Sequence, residues 1–191
     1  MCQFKSAIVV KDAKQKGGFR LLLSPWTDSH SDLIALHNLR DDGKLRFARI
    51  EYSPPDMSAA HRPETYKLKI DEARTPDWFD GDMKEAVTEK MDAHIKTLIV
   101  TGEVALLMGE QFIIAPGAKV GTVKNALVAS VLDARIDSVY DSARICSVSG
   151  SASIDSVYDS ARIGSVSGSA SIGSVYDSAR IVKDERAKPT P

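Results

Sequence analysis

From residue 136 to residue 181 the apolar positions fall at intervals of three, four and two: Ile136, Val139, Ala143, Ile145, Val148, Ala152, Ile154, and on in the same cadence to Ile181. Residues 136–153 and 154–171 are copies that differ only at Cys146 against Gly164, and 172–181 begins a third copy. A fixed period implies one structural unit stacked on copies of itself. A helix does not fit, because at about 100° per residue the apolar stripe crosses to the opposite face every half-repeat. Ser, Gly, Asp and β-branched residues are also poor helix formers. A disordered linker has no need of an unbroken Ile/Val/Ala lattice. The remaining reading is a β-solenoid. In it, Ala-x-Ile places two side chains in the core of a short strand. Gly150, Gly168, Asp141, Asp159 and Asp177 take the corners, where such residues relieve backbone constraint.

The cadence continues upstream in degraded form. Ala118-Lys119-Val120, Ala126-Leu127-Val128 and Ala134-Arg135-Ile136 repeat the strand core, with Val123 and Val131 between them, and the half-period shortens from nine residues to eight. These boundaries predict a solenoid over 112–181, with about 18 residues per coil in the repeats and around four coils. A polar cap or tail follows over 182–191. The end of a solenoid is an exposed strand edge, so a homo-oligomer through the C-terminal end is expected.

Residues 1–111 read as an α+β head. Strands are predicted over 4–10, 19–23, 45–52 and 66–70, the third with Arg46, Ala48, Ile50 and Tyr52 on one face. One helix is expected over 31–39, capped by Asp28 or Ser29, and a second over 82–95 with Met83, Ala86, Val87, Met91 and Ile95 as its apolar stripe. Residues 98–116 read as short strands leading into the solenoid.

Identical coils stack identical side chains in columns. One side carries Tyr140, Tyr158 and Tyr176 beside Arg144, Arg162 and Arg180, a candidate binding strip because Tyr and Arg dominate binding hot spots. Stacked arginines repel, and Asp141, Asp159 and Asp177 are their expected neutralising partners. A weaker candidate is the set Tyr52, His61, Arg62, Glu64 and Trp78 around the Pro-rich loops of the head.

Composition adds exclusions. The chain has 191 residues, a net charge of −1 and charges that do not segregate, so no global field favours nucleic acid or an anionic membrane. No apolar run approaches the length of a membrane span. The N-terminus does not read as a signal peptide, and the expected location is the cytoplasm. Cys2 and Cys146 form neither a disulfide framework nor a metal set, and Cys146 occupies the slot of Gly164 as a tolerated small residue. The scattered His30, His37, His61 and His94 lack ligand spacing. There is no phosphate-binding glycine loop, dinucleotide fingerprint or serine elbow. No catalytic residue, metal or cofactor is therefore expected.

The coil is similar to that of hexapeptide-repeat acyltransferases, whose aliphatic-Gly element is echoed by Val120-Gly121, Ile163-Gly164 and Ile172-Gly173. The strict six-residue spacing and a catalytic histidine within the solenoid are missing. More closely, the SVYDSARI units after FKSAIVVKD and YKLKIDEARTPDWF resemble uncharacterised phage and prophage proteins. That resemblance implies a non-enzymatic accessory protein in the host cytoplasm. It would act by binding a host or phage protein or by assembly, inhibition of a host defence system being one form. A binder or sponge for nucleotide-like metabolites is the alternative, and a hexapeptide-repeat-like acyltransferase the second.

Overall fold

The computed structural model describes residues 5–109 and 111–186. The chain forms two compact units, one of residues 1–56 and 62–96, the other of residues 57–61 and 97–191.

The first unit is built on an antiparallel sheet. Its strands are β1 (Ser6–Lys11), β2 (Phe19–Leu22), β3 (Phe47–Ser53) and β4 (Lys67–Ile70), in the order β2-β1-β3-β4. Of the face expected in β3, Ala48, Ile50 and Tyr52 are buried, while Arg46 is exposed ahead of the strand and Phe47 is buried as well. Helix α1 (His30–Leu36) starts where the Ser29 side chain accepts the Asp32 N–H, which satisfies one of the orphan donors of the first turn. Its Leu33 packs with Ile8 and Phe47. Helix α2 (Gly81–Leu98) buries Val87, Met91 and Ile95, one face of a 3.6-residue period. The start of the predicted first strand, Phe4, lies outside the described residues. A buried ion pair ties this sheet to the loop before α1. The Lys5 ammonium, 1% exposed, lies 3.1 Å from Asp28 and donates to the Ser24 carbonyl. Burial pulls the Lys5 pKa below the ordinary lysine value, and the Asp28 charge opposes that shift.

The second unit is a parallel β-solenoid of about five turns and about 17 residues per turn. It consists of β5 (Ile99–Val100), β6 (Glu103–Met108), β7 (Gln111–Ile114), β8 (Lys119–Lys124), β9 (Leu127–Leu132), β10 (Arg135–Tyr140), β11 (Arg144–Ser149), β12 (Ser153–Val157), β13 (Arg162–Val166), β14 (Ser171–Val175) and β15 (Arg180–Asp184). Even-numbered strands make one sheet, β14-β12-β10-β8-β6, and odd-numbered strands the other, β15-β13-β11-β9-β7-β5. Coiling starts at Ile99, ahead of the expected 112, and gives more than the expected four coils. The first coil is built from Val100, Val104 and Leu107 without the Ala-x-aliphatic signature, so its pattern is not that of the repeat. The change of period is real: the corner at Asn125 lies 16 residues before Asp141, and Asp141 lies 18 before Asp159. The expected cap region begins inside β15, and residues 187–191 lie outside the described ones.

The interior is a set of apolar columns. Val120, Ile136 and Ile154 stack in register, as do Val123, Val139 and Val157, all at most 1% exposed. Each such side chain contributes roughly 1.5–3 kcal/mol of burial. Corners close by turn bonds from the Ala143 N–H to the Tyr140 carbonyl and from the Ala152 N–H to the Ser149 carbonyl, repeated in the next coil. The residue that opens each turn has positive φ: Asp141 (57°), Asp159 (58°), Asp177 (56°), Gly150 (66°) and Gly168 (67°), as the sequence indicates, and also Asn125 (45°) and Asp133 (47°). Left-handed backbone costs an L-residue about 1–2 kcal/mol, least for Gly, Asn and Asp.

Asp159→Val should therefore lower unfolding stability by about 2 kcal/mol in a urea titration, whereas Asp159→Gly should lose clearly less. In the head, Asp28→Asn should cost about 3–5 kcal/mol by leaving a buried ammonium without its counter-charge, and Lys5→Met on that background should recover part of the loss.

Candidate interaction surface

The outward columns of the solenoid follow from the same register. Tyr140, Tyr158 and Tyr176 end β10, follow β12 and follow β14, at the start of equivalent corners. Their rings stack with centroids 4.7 and 4.9 Å apart and interplanar angles of 4° and 10°. That spacing is the rise of the coil, so the backbone imposes the stack. It also falls where aromatic pairs are favourable. Upstream the column continues as Lys124 and then Met108, which ends the aromatic row.

Past each corner, Arg144, Arg162 and Arg180 stand in register on adjacent strands and are exposed. The expected neutralisation by aspartate is not what the structure shows. Asp159 accepts the Asp141 N–H at 3.1 Å, and Asp177 accepts the Asp159 N–H at 3.4 Å. Asp141 accepts the Asn125 side-chain amide at 2.9 Å and lies 3.4 Å from Lys124. The corner carboxylates are thus spent on the main chain and side chains of the neighbouring coil. Among the described residues, no ion pair engages Arg144, Arg162 or Arg180. A left-handed corner aspartate points along the rod axis, and this local geometry is invisible in residue counts.

A second charged column behaves differently. Arg135 contacts Asp137 at 3.0 Å and Asp155 at 2.5 Å. Its pKa is held above the ordinary arginine value, first by the Asp137 hydrogen bond and then by Asp155. That column is charge-balanced, and the Arg144 column is not. At the opposite corner Asp133 accepts both the N–H and the hydroxyl of Ser151, at 2.7 and 2.9 Å. These bonds hold its carboxyl below the ordinary aspartate value, the main-chain N–H first, with a smaller contribution from His61.

The head-loop residues differ in their surroundings. Tyr52 is buried, its hydroxyl donates to Asp92, and its ring lies 5.4 Å from that of Tyr66. Burial pushes the pKa of both phenols up, with Asp92 adding to the shift at Tyr52. Trp78 packs edge-on against Phe79, with ring centroids 5.9 Å apart. Arg62 and Glu64 are exposed around the short 3-10 turn Pro63–Thr65. His61 belongs to the solenoid unit. In that same unit the Ser130 hydroxyl donates to the Met57 carbonyl, so segment 57–61 covers part of β9. No signal in the sequence marks that cover.

His30 is bonded to Asp71 at 2.9 Å and to the Ile50 carbonyl at 3.0 Å, and His37 caps the end of α1. Among the described residues no group of three or more His, Cys, Asp or Glu side chains is placed to hold a metal ion. Cys146 is disulfide-bonded, a correction to its reading as a merely tolerated small residue. No helix among the described residues is long and apolar enough to cross a membrane.

Comparison with protein-family models, curated proteins and solved structures finds no match.

If the arginine column is uncompensated, Arg162→Ser should raise thermal stability at low ionic strength. The gain should shrink as salt is added, because the middle of three like charges is removed. A structural arginine would give the opposite sign.

Proposed function

We propose that this chain acts by binding another protein, along the solenoid edge that carries Tyr140, Tyr158 and Tyr176 on one side of the corner and Arg144, Arg162 and Arg180 on the other. One observation carries this reading. Three arginines stand in register on successive coils and, among the described residues, none of them forms an ion pair, although aspartates of equal number lie a few residues away. Self-repulsion of this kind is a cost to the fold, and a partner with an acidic surface would remove it on binding. The stacked phenols beside the column offer flat, rigid contact area that loses little side-chain freedom on docking. The repeat's resemblance to phage and prophage proteins points to a host protein as that partner, with a host defence component among the candidates, met in the cytoplasm.

A second reading has its own observation. In the head, Phe19, Ala86, Lys90 and Ala93 line a shallow groove, and the Lys90 ammonium sits 4.2 Å from the centre of the Phe19 ring. Phe19 itself is fully buried, so what the groove offers an anionic metabolite is the Lys90 ammonium held over that ring.

Affinity purification with the intact chain, at low and at high salt, tests the first reading. The expected result is one dominant partner, retained at low salt, released at high salt and lost with Tyr158→Ala plus Arg162→Ala. A partner held equally by the double variant removes the strip as the interface. Loss of the partner with Lys90→Ala, together with a thermal shift on adding nucleotides, would favour the head groove instead.

A further inference from the structure

Two rows of charge lie on different parts of this chain, opposite in sign and close in pitch. On the solenoid, Arg144, Arg162 and Arg180 are exposed and stand in register one coil apart. The tyrosine stack gives the coil step, 4.7 and 4.9 Å. On the head, helix α2 carries Asp82, Glu85 and Glu89 at positions i, i+3 and i+7, all three exposed. Residues at that spacing share one face of a helix, opposite here to the buried Val87, Met91 and Ile95. The row ends at Lys96, two turns beyond Glu89, and the neighbouring Lys90 is engaged with the Phe19 ring. Among the described residues, no ion pair engages Asp82, Glu85 or Glu89. The positive end of the helix dipole accounts for Asp82 in the first turn, but not for Glu85 and Glu89 further along. Like charges at this spacing repel, so α2 bears the same kind of cost as the arginine column.

We propose that the arginine column takes helix α2 of a second copy of the chain, laid along the rod axis. This rests on the strip being a protein-binding surface and names one occupant for it, in competition with any other partner. A ligand that meets all three arginines must run across the coils rather than along a strand. At about 1.5 Å per residue the carboxylates of α2 advance by about 4.5 and then about 6 Å, so the three of them span only about 1 Å more than the three arginines, which flexible side chains absorb. A strand laid the same way repeats its face only every 6.6 Å or so, about, and outruns the column by about 4 Å over two steps. Ala86 and Ala93 flank the acidic row on α2. In one of the two directions along the rod they lie toward the tyrosine column, where small side chains let the helix approach the rings. Each row repels itself when alone, and both costs are relieved when the two meet. The contact joins different surfaces of two copies, so it closes by mutual exchange between two molecules or runs on from copy to copy.

Sedimentation velocity of the intact chain over a wide range of loading concentrations, at low and at high salt, tests the proposal. The expected result is self-association that grows with concentration and weakens as salt is added. Glu85→Arg plus Glu89→Arg should weaken it by about tenfold or more, and so should Arg144→Glu plus Arg162→Glu, because each sets like charges against each other across the contact. All four side chains are exposed, so circular dichroism should stay unchanged. Mixing the two double variants should restore association as a heteromeric species, since the new positive row on α2 of one meets the new negative column on the solenoid of the other. A chain that is monomeric at every concentration overturns the proposal. So does self-association indifferent to the α2 double variant, or a mixture of the two variants that stays dissociated. Failure of the strip itself reads differently, because the α2 double variant leaves the strip intact. Another protein that this variant still captures, and that Tyr158→Ala plus Arg162→Ala loses, keeps the strip as an interface even where copies of the chain do not associate.

Discussion

Each coil of the solenoid hangs from the one before it by main-chain hydrogen bonds, and everything else about that unit obeys this constraint. The N–H that follows each corner alanine donates to the alanine carbonyl of the preceding coil: Arg135 to Ala118, Ser153 to Ala134, and Ser171 to Ala152, each at 2.9 Å. Such bonds form only if successive coils stay in register. Register in turn places every residue directly over its counterpart one coil away. The left-handed corners exist to bring the chain back to that register, and this is why Gly, Asn or Asp opens each turn.

Stacking like on like has opposite consequences for different side chains. An Ile or Val column gains from it, since each residue meets the same shape at van der Waals distance and water is excluded. A tyrosine column tolerates it. A column of arginines is penalised, and the fold does not supply the correction that the composition implies. The nearby aspartates satisfy the corners instead, accepting from main-chain N–H groups rather than from the arginines. Corner stability and charge balance compete for the same carboxylates, and the corners win because a main-chain donor left without a partner is costly. Where the corner is not involved, as with Arg135 between Asp137 and Asp155, neutralisation does occur.

The same rule defines the end of the rod. A coil without a successor leaves its core column and its hydrogen-bonding edge exposed, however good the repeat is. The described C-terminal strand departs from the repeat at this point, with Lys183 over Ser165 and Asp184 over Val166. Sequence divergence within an otherwise faithful repeat marks the place where the physical environment changes from coil to something else.

Much of this architecture was legible in the chain. The 3-4-2 cadence excluded a helix and set the coil. The Gly and Asp positions located the corners. The shift from nine to eight residues per half-turn upstream of residue 136 reappears as the shorter coil at Asn125. The short strands over 98–116 were legible, but not as a first coil, because this segment fills the core with larger, irregular residues and includes a register shift at Phe112/Ile113. Nor was the hydrogen bond from the Tyr52 hydroxyl to Asp92, which joins residues 40 positions apart in the head. By itself the sequence determined periodicity, since the spacing of apolar residues is a local property that only one stacked geometry can satisfy. The tertiary structure alone decided which charges are spent and which stay free, because a carboxylate is claimed by whichever donor the fold brings within reach, and that donor lies a whole coil away along the chain.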